Sequence, residues 1–86
     1  MKLTWSKTAW GDYLYWQKAD KKMVKRINDL IKSTMRTPFE GIGKPEALKG
    51  DLHGYWSRRI TTEHRLVYKY VEQNLMIAAC RYHYEK

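Results

Sequence analysis

Residues 54–60 (GYWSRRI), 64–70 (HRLVYKY) and 75–82 (LMIAACRY) are three runs rich in β-branched and aromatic side chains. Only short polar turns, Thr61-Thr62-Glu63 and Glu72-Gln73-Asn74, stand near their junctions. Side chains of this kind suit a pleated, half-buried surface. Links this short join antiparallel neighbours, so the runs predict a three-stranded meander.

Upstream the period changes. Thr37-Pro38-Phe39-Glu40-Gly41-Ile42-Gly43-Lys44-Pro45 holds both prolines and two of the five glycines, which predicts a loop that ends a helical region. Before it, Met23, Val24, Ile27, Leu30 and Ile31 form an apolar stripe of helical spacing, and Asp20 is placed to cap that helix. A first helix is predicted from Ser6, as its cap, to about Ala19, with Trp10, Tyr13, Leu14 and Gln17 at helical spacing. Lys2 to Trp5 reads as a short strand. Two helices on one face of a sheet make an α+β domain with the other face left for function.

The 86 residues suffice for one core and not two, since small domains bury only about 60% of their unfolded surface. No run approaches the roughly 20 apolar residues of a membrane span, and the start Met1-Lys2-Leu3-Thr4 lacks a signal peptide's apolar stretch. A cytoplasmic protein with no membrane partner is expected. Cys80 is the only cysteine, so no internal disulfide framework can form. Its apolar surroundings, Leu75 to Ala79, predict a core thiol rather than a nucleophile.

Seventeen Lys and Arg against nine Asp and Glu give a formal charge of +8, which points to a polyanion or an acidic partner. Aromatic residues make up 14%, enough either to stack on bases or to enlarge a thin core. Lys21, Lys22, Lys25, Arg26 and Lys32 take much of the second helix's polar circumference. That pattern fits an ordinary solvated face and equally a grip on phosphates.

Three chemistries compete for the polar residues. His53, His64, His83 and Cys80 have neither C-x-x-C nor H-x-x-x-H spacing, so no metal or other cofactor is expected. No G-x-S-x-G occurs, and the Gly41 to Lys44 fragment precedes no helix that could cradle a phosphate. Metal-free RNA cleavage remains. RNA carries its own nucleophile in the 2′-hydroxyl, so an enzyme needs a base, an acid and cations for the phosphate oxygens. Glu46, Lys49, Arg58, Arg59, Arg65, Arg81 and His83 supply those types in the β half. Arg81 and His83 would share a sheet face if the third strand runs that far. Surface charge and an incidental histidine are the plain alternative.

Longer patterns narrow the choice. Tyr55-Trp56-Ser57-Arg58-Arg59-Ile60, Glu63-His64-Arg65-Leu66-Val67-Tyr68 and Ile77-Ala78-Ala79-Cys80-Arg81-Tyr82-His83-Tyr84 closely resemble the YoeB toxins of the RelE group. So do Trp10-x-Asp12-Tyr13-x-Tyr15-Trp16, the Thr37 to Glu46 loop and Leu48-Lys49. The resemblance covers residues 1–84 without an evident gap. It implies a RelE-like fold in one domain, 1–86, with two N-terminal helices on a mainly antiparallel four-stranded sheet, as in small microbial ribonucleases.

It also implies an endoribonuclease that cuts messenger RNA in the ribosomal A site, leaving a 2′,3′-cyclic phosphate and a 5′-hydroxyl. Carried over by motif, Glu46 would be the general base, His83 the general acid, and Arg65 the group that stabilises the scissile phosphate. Tyr84 would place the substrate, and Lys49, Arg58 and Arg59 would hold RNA. Lys21, Lys22, Lys25, Arg26 and Lys32 would then grip ribosomal RNA. The implied partners are messenger RNA, the ribosome, a YefM-type antitoxin, operator DNA through the antitoxin complex, and a second copy in a homodimer. Two departures stand out: Glu85 and Lys86 follow the tyrosine at which the family typically stops, and His53 falls at a turn outside the functional set. A non-catalytic RNA- or ribosome-binding module, or an inactivated toxin homologue, is the competing class.

Overall fold

The computed structural model describes residues 1–83. Strand β1 (Lys2–Trp5) leads into helices α1 (Lys7–Ala19) and α2 (Lys21–Arg36), followed by strands β2 (Glu46–Ala47), β3 (Trp56–Arg59), β4 (Arg65–Val71) and β5 (Asn74–Ala79). The helices begin where short polar side chains satisfy their first amides. Ser6 accepts from the Ala9 amide at 3.0 Å and Asp20 from the Lys22 amide at 3.0 Å, caps worth about 1 kcal/mol each. Asp20 also ends α1, its amide donating to the Trp16 carbonyl at 2.9 Å, so one extended residue serves both helices.

The sheet runs β1-β5-β4-β3-β2, with β1 parallel to β5 and every other pair antiparallel. The predicted meander is therefore present. The expected four strands are five, because Glu46 and Ala47 pair with Ser57 and Trp56. Two residues directly after a proline carry no alternation from which a strand can be read. The last strand also stops at Ala79 rather than running to Tyr82, and β5 bulges where Val67 pairs with Ala79 and Tyr68 with Ile77.

Leu66, Tyr68, Leu75 and Ile77 face the helices and join Ala9, Trp16, Met23, Ile27, Leu30, Ile31, Ile60 and Cys80 in the core. Each fully buried Leu or Ile contributes roughly 1.5–3 kcal/mol. The α2 stripe faces the core as its spacing predicts. Helix α1 instead buries Ala9 and Trp16, while Leu14 stays exposed and so does Trp10, against the rings of Trp5 and Tyr13. Among the described residues no helix is long and apolar enough to cross a membrane.

Candidate RNA-cleavage site

Strand alternation makes the second face of the sheet. Glu46 lies opposite Ser57, which lies opposite Val67, and in the adjoining row Arg59 lies opposite Arg65. These residues share the face turned away from the helices. Glu46 and Arg65 are two strand spacings apart and one row offset, a backbone separation on the order of 12 Å that the two long side chains can shorten. Glu46, Lys49 and Arg59 are exposed, whereas Arg65 is largely buried and its Nη1 donates to the carbonyls of Thr61 at 2.7 Å, Thr62 at 3.1 Å and His64 at 3.2 Å. Those bonds fix the guanidinium against the β3–β4 turn. A pre-set cation is better suited to a developing phosphate charge than a freely swinging one.

His83 is exposed and follows Tyr82, whose backbone is tied to the start of β4. The Arg65 amide donates to the Tyr82 carbonyl at 3.0 Å, and the Tyr82 amide donates to His64 Nδ1 at 2.7 Å. The chain therefore delivers His83 beside Arg65. The strand that would have set Arg81 and His83 on one sheet face ends before either, at Ala79. The Arg81 guanidinium lies over the Tyr15 ring of α1, 3.5 Å from the centroid, because the chain leaves the sheet after Ala79 and Tyr82 takes φ of +65°. Tyr84 lies outside the described residues.

Arg58 is not where RNA could meet it. It is 0% exposed on the helix-facing side of β3, with Trp56 and the buried Leu66 and Tyr68 as neighbours. Nε donates to the Tyr68 hydroxyl at 3.1 Å, Nη1 to Ser33 Oγ at 2.8 Å and the Ile42 carbonyl at 3.2 Å, and Nη2 to the Thr37 and Glu40 carbonyls at 2.7 and 2.8 Å. The cation thus sits at the carbonyl-rich end of α2, where the helix dipole favours it. It ties down the loop that leads to Glu46. Burial pushes the Tyr68 hydroxyl above its ordinary range, against the opposing pull of Arg58.

The same packing explains the two loop glycines. A Cβ at Gly41 (φ +123°) would lie 2.5 Å from Ser33 Oγ and 3.2 Å from Arg58 Nη1, and one at Gly43 (φ +84°) 2.6 Å from Leu30 Cδ2. They make room for neighbours rather than for a phosphate. The Arg59 amide completes the stitching with a 2.7 Å bond to the Gly43 carbonyl.

On α2, Lys21, Lys22 and Lys32 are exposed and Lys25 pairs with Asp29 at 3.1 Å. Arg26 reaches across to donate to the Arg59 carbonyl at 3.2 Å, so it belongs partly to the end of β3. Lys21 and Lys22 sit in the first turn of α2, where cations oppose the helix dipole by a few tenths of a kcal/mol or more each. His53 is an exposed turn residue, as its position suggested. Cys80 is fully buried, and burial together with the Asp12 carboxylate pushes its thiol up to about 12. It is a core residue.

Sequence reasoning passed over Asp12, Trp16 and His64 as residues that hold the end of the chain. Asp12 Oδ2 accepts from the Cys80 amide at 3.0 Å, and Trp16 Nε1 donates to the Cys80 carbonyl at 2.8 Å. Both lie in the Trp10 to Trp16 pattern, but their types alone do not say what they touch.

A family model described as "YoeB-like toxin of bacterial type II toxin-antitoxin system" matches residues 5–84. Toxin YoeB of Escherichia coli K12 is 68% identical over 84 residues, covering 98% of this chain and 100% of that protein. Among solved structures, a YoeB/ParE toxin from Agrobacterium tumefaciens superposes with a TM-score of 0.96 at 57% identity, covering 98% of this chain and 100% of the other. The toxin in a YoeB–YefM complex from Staphylococcus aureus gives a TM-score of 0.90 at 54% identity, with 98% of each chain covered.

Proposed function

The chain belongs to the YoeB-like toxins of bacterial type II toxin–antitoxin systems, and from that premise we propose that it is a ribosome-dependent endoribonuclease acting on messenger RNA by acid–base chemistry. The observation that carries this reading is the sheet register. It sets Glu46, Arg59 and Arg65 on the open face, while two hydrogen bonds tie the Tyr82 backbone beside Arg65.

In the proposed reaction Glu46 takes the 2′-hydroxyl proton, and the freed oxygen attacks phosphorus. The bond to the 5′-oxygen breaks as His83 protonates it, leaving a 2′,3′-cyclic phosphate and a 5′-hydroxyl. Arg65 stabilises charge on the phosphate oxygens, with Lys49 and Arg59 holding RNA nearby and Tyr84 placing the substrate. Lys21, Lys22, Lys25 and Lys32, on the opposite side of the sheet, are suited to ribosomal RNA phosphates, which give affinity without sequence choice. The decoding site then supplies the orientation that free RNA lacks. A YefM-type antitoxin, as in the Staphylococcus aureus complex, is the proposed inhibitor. Its route is an acidic segment folding over the active face, with operator DNA bound through that complex. Self-association as a homodimer belongs to the same proposal.

The test uses one reporter messenger with and without its start codon. Cuts should map to translated codons, carry 5′-hydroxyl ends and vanish without initiation. Glu46→Ala and His83→Gln should each lower the single-turnover rate by about 10²- to 10⁴-fold at saturating ribosome. Growth arrest that persists in those variants would instead point to a module that occludes the ribosome without cutting.

A further inference from the structure

After Ala79 the chain leaves the sheet, yet the backbone just before His83 is held group by group. The Cys80 amide and carbonyl bond to side chains of α1, Asp12 at 3.0 Å and Trp16 at 2.8 Å. The Tyr82 carbonyl accepts from the Arg65 amide at 3.0 Å, and the Tyr82 amide donates to His64 Nδ1 at 2.7 Å. Three of these four bonds come from side chains. Tyr82 has φ of +65°, the left-handed region that a bulky L residue keeps only where its surroundings hold it. The next peptide along is the one that carries His83.

His64 is itself fixed. Its ring stands edge-on to Trp16, centroids 4.9 Å apart at 81°, and its carbonyl accepts from the Ile60 amide at 3.0 Å and from Arg65 Nη1 at 3.2 Å. One residue therefore touches α1, the turn that orients Arg65 and the segment that delivers His83. From this geometry we infer that His64 is a positioning residue for the cleavage reaction: its Nδ1, kept bare as an acceptor with the ring proton on Nε2, holds the Tyr82 peptide and so aims the imidazole of His83. The inference rests on His83 acting as the acid. Misplacement of a catalytic group by about 1 Å can cost as much as 10²-fold in rate.

Two substitutions separate the acceptor from the packing. His64→Phe keeps a ring against Trp16 but removes Nδ1, whereas His64→Asn keeps an acceptor close to the Nδ1 position. On ribosomes programmed with a messenger, His64→Phe should slow single-turnover cleavage about 10-fold or more, with the ribosome dissociation constant changed less than about twofold. His64→Asn should recover to within about threefold of the parent. A Phe variant that cuts at the parent rate, or an Asn variant no better than Phe, overturns the assignment.

NMR makes the outcome independent of activity and of how well the Phe variant folds. The parent protein should show a nitrogen–nitrogen coupling across the Tyr82 amide and His64 Nδ1, and its absence would overturn the inference. His83→Gln run in parallel tells the two levels apart. If that variant cuts at full rate, the acid assignment falls, and the positioning claim is then decided by the His83 ring resonances. They must shift in His64→Phe and return in His64→Asn; resonances that stay put in both would overturn it.

Discussion

Arg58 and Arg59 are chain neighbours of identical type with opposite fates, one sealed beneath the helices and one on the open face. The difference comes from strand parity alone. Arg58 shares its parity with Trp56 and Ile60, both packed in or against the core, while Arg59 shares its parity with Ser57. Of its five bonds Arg58 gives three to carbonyls of the loop before Glu46 and one each to the Ser33 and Tyr68 hydroxyls, so it braces that loop from behind. Arg59 faces solvent and is available to a ligand. A cationic residue in a site pattern can thus serve the site without touching what the site binds.

The largest effect is expected of Arg58→Ala. Removing the guanidinium strands two hydroxyls and three loop carbonyls, so a loss of roughly 3–5 kcal/mol is expected, read from the urea midpoint. Arg58→Lys should recover only part of it, because an ammonium cannot reproduce the planar fork. A variant with parental stability would remove the anchoring role. Arg59→Ala is the counterpart: stability should stay within about 0.5 kcal/mol. Ribosome or RNA binding should weaken, with the slope of log affinity against log salt reduced by about one. An unchanged slope would mean that Arg59 meets no phosphate.

The smallest effect concerns Asp12 on α1. Burial raises its carboxyl above the ordinary range, only partly opposed by the Cys80 amide and Arg81. A carboxyl with a raised folded value contributes its stability at low pH and loses it as pH rises through that value. Asp12→Asn does not titrate and keeps an acceptor for the amide. Its stability relative to the parent should therefore improve as pH rises through the carboxylate range. A difference that is flat or falls with pH would contradict the burial account.

Much of the fold could be read in the sequence because its signals are local. The meander lies in three β-rich runs, both helix starts in Ser6 and Asp20, and the α2 stripe in its spacing. What escaped depends on partners far along the chain. Strand β2 exists only because Ser57 and Trp56 offer it an edge, and β5 ends early because α1 claims the Cys80 backbone. The exposed stripe of α1 misled because its aromatic residues pack with Trp5 beside the core rather than inside it. For the site, motif resemblance named the residue types, and register put Glu46, Arg59 and Arg65 on one face. Arg58 lies on the other, and its alternation with Trp56 and Ile60 already pointed inward.

The parallel pairing of β1 with β5 has a consequence for the chain's own birth. Residues 2–5 find their partners only at 74–77, beyond both helices and three other strands. Contacts so distant in sequence are paid for late in folding, after the entropy of closing the intervening chain. The helices and the β3–β4 hairpin can form as they are made, but the first strand must wait for the last. His83 comes later still, four residues beyond the end of β5. On the proposed chemistry, the acid is made only after every strand of the sheet, so the order of synthesis itself delays the moment at which the chain can turn on a ribosome.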